Sequence, residues 1–460
     1  MIEPRSCRVH GQNHGQEHGQ EHGRDHGRDH GPPLDVAAVG AGPFNLALAA
    51  LADGLDGADR PRVAVFEQRA EFRWHPGVMI EGATLQVPFL ADLVTMVDPT
   101  SRWSFLNHLR ASGRLFPFYL TERFHVARAE YDAYCRWVAD GLGSCRFGQR
   151  IRSVRWDPRS RVFELNNGVT ARHVVLGVGT EPVLPRPLQP LADDGRQAPV
   201  LHSADYLRHR DALTAAPTVT VVGAGQSGAE VFLDLLRRRP RGLRWLARTP
   251  AFAPMEYSKL GLEQFTPDHT AFFHGLPEKV RDELVPAQWQ LHKGVSAETL
   301  GQIHDELYEL SLRGGWPDVT LQPGVAVTDA RRLGDGRIEL TVQHVQQGAS
   351  ATLAAHAVVA ATGYRERPLD ELLAPLAAYI GTDDAGRPLV GADYRLDLDA
   401  QVTGGVFVQN AERHTHGVGA PDLGLAAWRA AVILNAVCGR EVYPLPARTA
   451  FTTFGLEGRS

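Results

Sequence analysis

The chain has 460 residues, of which 43% are hydrophobic and 22% charged, and its net charge is −5. That length exceeds a single compact core and predicts two to three domains, while the ordinary composition excludes a disordered, collagen-like or coiled-coil chain. The mildly acidic balance argues against a surface built for nucleic acid or anionic membrane.

Cys7, Cys135, Cys145 and Cys438 form no CxxC pair and have no metal-ligand spacing, so free thiols in a reducing compartment are expected. The same scatter counts against a disulfide reductase. The N-terminus is polar where a secretory leader needs an apolar stretch, so a cytoplasmic protein is expected. Only Lys259, Lys279 and Lys293 are lysines, a bias we read as codon usage in a high-GC genome rather than as an arginine-specific function.

Residues 1–32 read as a disordered tail. His10, His14, His18, His22, His26 and His30 recur every fourth residue, but each repeat also carries a glycine. A glycine costs a helix roughly 1 kcal/mol. A low-complexity extension and a metal-scavenging tail both fit this pattern, and neither bears on the chemistry that follows.

The folded chain opens with DVAAVGAGPFNLALAALADG. An apolar strand runs into Gly40, Gly42, Pro43 and Asn45, then into a helix rich in alanine and leucine. Such a unit sets backbone N–H groups and a helix N-terminus against a pyrophosphate. A second strand, RVAVFE, ends at Glu67, 27 positions after Gly40, where a carboxylate accepts hydrogen bonds from an adenosine ribose.

The unit recurs about 180 residues later in TVTVVGAGQSGAEVFLDLLRR, where Gly223, Gly225 and Gly228 complete GxGxxG. The following strand, LRWLAR, ends at Arg248. An arginine there pairs with a 2′-phosphate and favours NADPH over NADH; in an arginine-rich chain it also reads as an ordinary surface cation. Two dinucleotide sites, one for FAD and one for NADPH, belong to flavoprotein reductases and flavin monooxygenases. HVVLGVGTEPVLP, near Gly179 and Thr180, reads as the chain leaving the first domain for the second, and AHAVVAATGYRERP, with Thr362, Gly363 and Tyr364, as its return.

GAGPFNLALAALA, FRWHPGVMI, LQVPFLADLV, DPTS with SFLNHL, GAGQSGAE, ATGY and HTHGVGAPDLGLAAWRAAVILN stand in this order along the chain. Together they resemble the microbial N-hydroxylating monooxygenases, the lysine, ornithine and diamine N-hydroxylases of hydroxamate siderophore biosynthesis. The resemblance implies an α/β fold with two Rossmann-like domains, for FAD and NADPH, and a small helical substrate region. The expected boundaries are 33–210 with 355–460 for FAD and 211–354 for NADPH, with substrate helices at about 262–312. It also implies N-hydroxylation of a primary amine by O₂ through a C4a-hydroperoxyflavin, and a homo-oligomer, dimeric or tetrameric.

Residue roles follow from the same resemblance. Gly40, Gly42, Pro43, Asn45 and Glu67 are expected on FAD, with Trp74, His75, Pro76 and Gln86 beside its ring system. Gly223, Gly225, Gln226, Ser227, Gly228 and Arg248 are expected on NADPH. Thr362, Gly363, Tyr364 and a late loop, His414 to Gly417 with His416 foremost, are expected close to the cofactors. Trp74 also reads as a core aromatic. No metal site is expected, because the two histidines of HTH lack a partner at ligand spacing.

The substrate is read at three positions. Amino-acid-specific members carry a lysine in FLKDLV, where this chain has Ala91, and a substrate carboxylate without that cation loses about 1.5–3 kcal/mol. Leu262 stands where ornithine-specific members have asparagine, and Gly424 replaces a serine. This set suits a diamine such as cadaverine or putrescine. The alternative is L-lysine or L-ornithine, held by Arg102 or Lys293 in place of the missing lysine. A Baeyer–Villiger enzyme is disfavoured because VLHSADY keeps only His202 of that group's fingerprint, and a flavin-binding sensor because ATGY and GAGQSG are intact.

Overall fold

Strand Leu34–Val39 lies inside a seven-stranded sheet, parallel to Val63–Phe66 on one side and to Thr170–Leu176 on the other. Val36, Ala37, Ala38 and Val39 are all buried, so the strand reads as a continuous apolar run rather than an alternating one. Gly405–Val408 returns to the same sheet, in parallel beside Thr170–Leu176. The structure is a computed structural model that describes residues 32–456, apart from 58–59, 193–198 and 313. The histidine-rich repeat lies outside the described residues.

Helix Pro43–Gly54 follows the first strand, with Gly42 at its N-cap and Pro43 in its first turn. Proline suits that position, because its missing N–H has no helical partner there. Every residue from Pro43 to Ala52 is buried, since helix Ala426–Cys438 packs across its outer side. Leu46, Leu48 and Leu51 are at most 1% exposed, and each such burial contributes roughly 1.5–3 kcal/mol.

A second sheet of five strands repeats the plan in the order Val200–His202, Ala357–Ala360, Val219–Val222, Arg241–Ala247, Asp318–Pro323. Its pairings are all parallel. Helix Gln226–Arg238 buries Val231, Phe232, Leu235 and Leu236 as one stripe and turns Arg237 and Arg238 outward. Between Arg241–Ala247 and Asp318–Pro323 the chain forms the helices Lys259–Leu262, Pro267–His274, Glu278–Ala287, Trp289–His292 and Ala297–Leu312.

The two connections between the sheets run side by side. Thr180–Pro182 on the way out pairs antiparallel with Tyr364–Glu366 on the way back. No single helix among the described residues is long and apolar enough to cross a membrane.

Candidate active site

Each glycine turn stands where its sheet reverses strand order, since the next strand in sequence lies on one side of the central strand and a later one on the other. Ligands of doubly wound folds bind at that crevice. Gly40 has φ +92°, and a Cβ there would meet the Gly177 carbonyl oxygen at 2.4 Å; Gly223 has φ +132°, and a Cβ would meet the Ala361 carbonyl oxygen at 2.1 Å. Neither position tolerates a side chain. Gly42 and Gly225 cap helices of 12 and 13 residues with no side-chain hydrogen bond to the first turn. These N-termini keep N–H donors and the positive end of the helix dipole for an anion. Both turns therefore fit a pyrophosphate.

The first carbonyl of each turn is pinned from behind. Asn45 Nδ2 donates to the Gly40 oxygen at 2.8 Å and to the Val39 oxygen at 3.0 Å, and Asn45 Oδ1 accepts from Gln409 Nε2 at 2.7 Å. Trp245 Nε1 donates to the Gly223 oxygen at 2.7 Å, its ring stacked between Phe232 and Phe252 at 4.9 and 3.9 Å. Glu67 ends its strand against the first turn, where Oε2 accepts from Ala41 N at 3.0 Å. Arg248 is exposed just beyond strand Arg241–Ala247.

Trp74 and His75 line the next stretch. Trp74 N donates to Asp132 Oδ1 at 2.8 Å, and its ring lies 5.1 Å from those of both His75 and Tyr131. His75 takes the left-handed conformation at φ +46°, which is strained for a residue with a side chain. Its ring faces Tyr364 at 6.0 Å, so the WHP and ATGY segments meet. Gly363 N-terminal to that tyrosine accepts from His202 Nε2 at 3.0 Å, and Thr362 Oγ1 donates to the Val183 oxygen at 2.5 Å. Gln86 lies on strand Thr84–Pro88, and its carbonyl accepts from Tyr257 Oη at 3.2 Å.

Other expected residues fall differently. The Asn45 side chain is fully buried and faces the sheet, so it shapes the turn instead of lining the pyrophosphate. His416 is 2% exposed; its ring stacks on Tyr394 at 4.4 Å and meets His274 at 5.1 Å. Burial holds its pKa well below the usual histidine range. Gln226 bonds to Ser296 N, Glu230 and Thr299, and so ties the helix Gln226–Arg238 to the start of Ala297–Leu312. Lys293, expected on the substrate, is exposed, and its backbone carbonyl lies 3.6 Å from where a Cβ on Gly225 would stand. Gly228 and Ser227 lie in the first turn of the second helix, Ala91 is buried, and Leu262 is exposed.

Three further features have no signal in the local sequence. Arg128 makes a bidentate, nearly buried ion pair with Glu230 at 2.8 and 2.9 Å and also donates to the Val78 oxygen. That pair joins the Trp74 side of the site to the second dinucleotide helix. Trp245 was visible only as one residue of a strand. Asp422 stands in the late motif between the His414–Gly417 loop and Gly424, with no local signal that marks it.

The sequence matches the model of the family described as L-lysine 6-monooxygenase/L-ornithine 5-monooxygenase over residues 32–366. It is 42% identical over 438 residues to the rhizobactin siderophore biosynthesis protein RhbE of Rhizobium meliloti, covering 92% of this chain and 95% of that protein. It is 38% identical over 438 residues to a putrescine N-hydroxylase of Shewanella oneidensis, covering 91% and 84%. Among solved structures it resembles DfoA of Erwinia amylovora, a cadaverine monooxygenase of desferrioxamine biosynthesis bound to FAD. That match has a TM-score of 0.86 and 37% identity and covers 93% of this chain and all of the other.

Proposed function

Since this chain belongs to the L-lysine 6-monooxygenase/L-ornithine 5-monooxygenase family, we propose that it N-hydroxylates one terminal amine of an aliphatic diamine, cadaverine or putrescine, for hydroxamate siderophore synthesis. It is a flavin-dependent N-monooxygenase that uses FAD and NADPH. The balanced reaction is R–NH₂ + O₂ + NADPH + H⁺ → R–NHOH + NADP⁺ + H₂O.

When bound, the flavin supplies the oxygen activation and NADPH the two electrons. The chain's own part is to bind, orient and exclude water. In this reading the turn at Gly40, Gly42 and Pro43 holds the FAD pyrophosphate and Glu67 its ribose. Gly223, Gly225, Ser227 and Gly228 hold NADPH, and Arg248 its 2′-phosphate. Trp74, His75 and Gln86 flank the flavin, and Thr362, Gly363 and Tyr364 close the nucleotide side. FAD is assigned to 33–210 with 355–460 and NADPH to 211–354, with strands Val200–His202 and Ala357–Ala360 lent to the second sheet. The reacting amine must be neutral to act as a nucleophile, whereas an alkyl amine in water has a pKa near 10.4; an enclosed apolar wall favours the neutral form.

The observation that carries the choice of diamine is Ala91, which brings no cation to the wall where an amino-acid carboxylate would need one. The two substitute cations have other neighbours. Arg102 pairs with Asp53 and covers the Trp103 ring, and Lys293 stands at the second glycine turn. A cytoplasmic homo-oligomer, without nucleic-acid or membrane partners, completes the proposal. The test is hydroxylamine formed per NADPH consumed with cadaverine, putrescine, L-lysine and L-ornithine. Product from the diamines with little from the amino acids supports the reading, and product mainly from lysine or ornithine overturns it.

A further inference from the structure

The amine that does not react must also be held, and one carboxylate is placed to hold it. Asp422 caps the short helical turn Leu423–Leu425, with Oδ1 accepting from Gly424 N at 2.7 Å. That turn packs against strand Thr84–Pro88, which carries Gln86. Tyr257, whose hydroxyl reaches the Gln86 carbonyl, and Tyr131, whose ring meets Trp74, both lie within the electrostatic reach of Asp422. The carboxylate therefore belongs to the wall shared by Trp74, Gln86 and Tyr257.

Its charge is not matched by the protein. The other enclosed acids are provided for: Glu230 by Arg128, Glu412 by Arg429, Glu366 by Arg413, and Asp92 by three backbone N–H groups and the Thr95 hydroxyl. Asp422 is only partly accessible and has no ion-pair partner among the described residues. The nearest cation acting on it is Arg429, which is engaged with Glu412 and the Ala420 carbonyl. Burial pushes the Asp422 carboxyl up to about 6. Capping a turn needs one acceptor oxygen, which asparagine or serine supplies equally well, so the cap does not account for the charge. A half-enclosed charge without a counter-ion is costly unless a ligand brings one.

We propose that the Asp422 carboxylate binds the ammonium at the non-reacting end of the diamine, and so selects a second positive charge where amino-acid hydroxylases select a carboxylate. This assignment rests on the diamine reading above. It pairs the loss of a cation at Ala91 with an anion on a turn packed against the strand that leads to Ala91, and together they reverse the charge preference. An ammonium donates up to three hydrogen bonds, and one to the free Asp422 oxygen is charge-assisted on both sides.

The test uses the FAD-loaded enzyme and the Asp422→Asn variant, which keeps the capping oxygen and the side-chain shape. Cadaverine is compared with 5-amino-1-pentanol, which has the same length and an uncharged far end. The kcat/KM ratio of cadaverine to the amino alcohol is expected to fall about 10- to 100-fold in the variant, mostly through KM. Calorimetric binding of cadaverine to the oxidised holoenzyme is expected to weaken by the same factor. Asp422→Ser, which also retains a cap, repeats the measurement in case the first variant folds poorly. A ratio within twofold of the parent in either folded variant overturns the assignment, as does an equal loss for both substrates. If the parent enzyme hydroxylates amino acids and not diamines, the diamine reading fails before any variant is made, a result distinct from a diamine-active parent whose Asp422→Asn form keeps its preference.

Discussion

Trp245 donates its indole N–H to the carbonyl of Gly223, and so serves the second glycine turn as Asn45 serves the first. The turn's first carbonyl points into the protein in both cases, and a buried donor keeps it there. Trp245→Phe preserves the ring stack and removes the donor. A buried carbonyl left unpaired costs about 1–3 kcal/mol, so the variant is expected to lose several degrees of Tm. Its KM for NADPH should rise at least threefold while FAD binding, followed by flavin fluorescence, stays within twofold.

Arg248 tests cofactor choice. Removing a charge-assisted partner of a phosphate costs about 1.5–3 kcal/mol, which is about 10- to 150-fold. Arg248→Ala is expected to raise KM for NADPH by that factor and to leave KM for NADH nearly unchanged. Steady-state kinetics with both nucleotides measure it, and equal effects on the two would assign Arg248 to the ordinary surface.

The Arg128–Glu230 pair is 11% and 7% exposed, enclosed enough that one partner alone is a liability. Glu230→Ala leaves the Arg128 guanidinium uncompensated and is expected to destabilise by about 3–5 kcal/mol. The double variant Arg128→Met with Glu230→Leu should recover part of that loss. Denaturant unfolding of the parent, the single variants Arg128→Met and Glu230→Leu, and the double variant checks the non-additivity.

The pH dependence has a defined sign. Asp422 is pushed up to about 6, so it is ionised above that value and protonated below it. KM for cadaverine is therefore expected to rise as pH falls from 7.5 to 5.5, with a break near 6 that Asp422→Asn abolishes. The groups around it do not supply that break. Tyr131 is raised well above its usual value, and Tyr257 is raised to about 12. His75 is held down at about 4 by desolvation, with Arg128 and Arg69 adding to it.

Ala91→Lys restores the cation that amino-acid-specific members carry at this position. Like-charge repulsion of the diamine ammonium is expected to raise KM for cadaverine at least tenfold. A Tm measurement separates that effect from overpacking, since Ala91 is buried.

Local features of the site were legible in the sequence because they depend on neighbours in the chain. Gly40, Gly223 and Glu67 each sit at a fixed offset from a strand end, and strand pairing carries that offset directly into space. What was not legible arises between distant segments. Glu230 lies 102 residues from Arg128, and Gln409 lies 364 residues from Asn45; nothing local marks either pair. The burial of the His416 ring against Tyr394 and His274 is likewise set by distant segments, and no local feature announces it. Lys293 was weighed by its charge alone, and its place was decided by the helices around it.

The paired strands Thr180–Pro182 and Tyr364–Glu366 bring the two ends of the inserted half of the molecule together. Both of its ends leave the first sheet at one point, already hydrogen-bonded to each other. The entropy of closing that long excursion is therefore met by a ribbon of three residue pairs and changes little with the length inside it. Helices can be added to or trimmed from the substrate region without re-threading the flavin half, which makes the insert an exchangeable cassette. A chimaera joined at this ribbon keeps the host sheet's register together with the host's Ala91 and Asp422, and takes its second glycine turn from the donor.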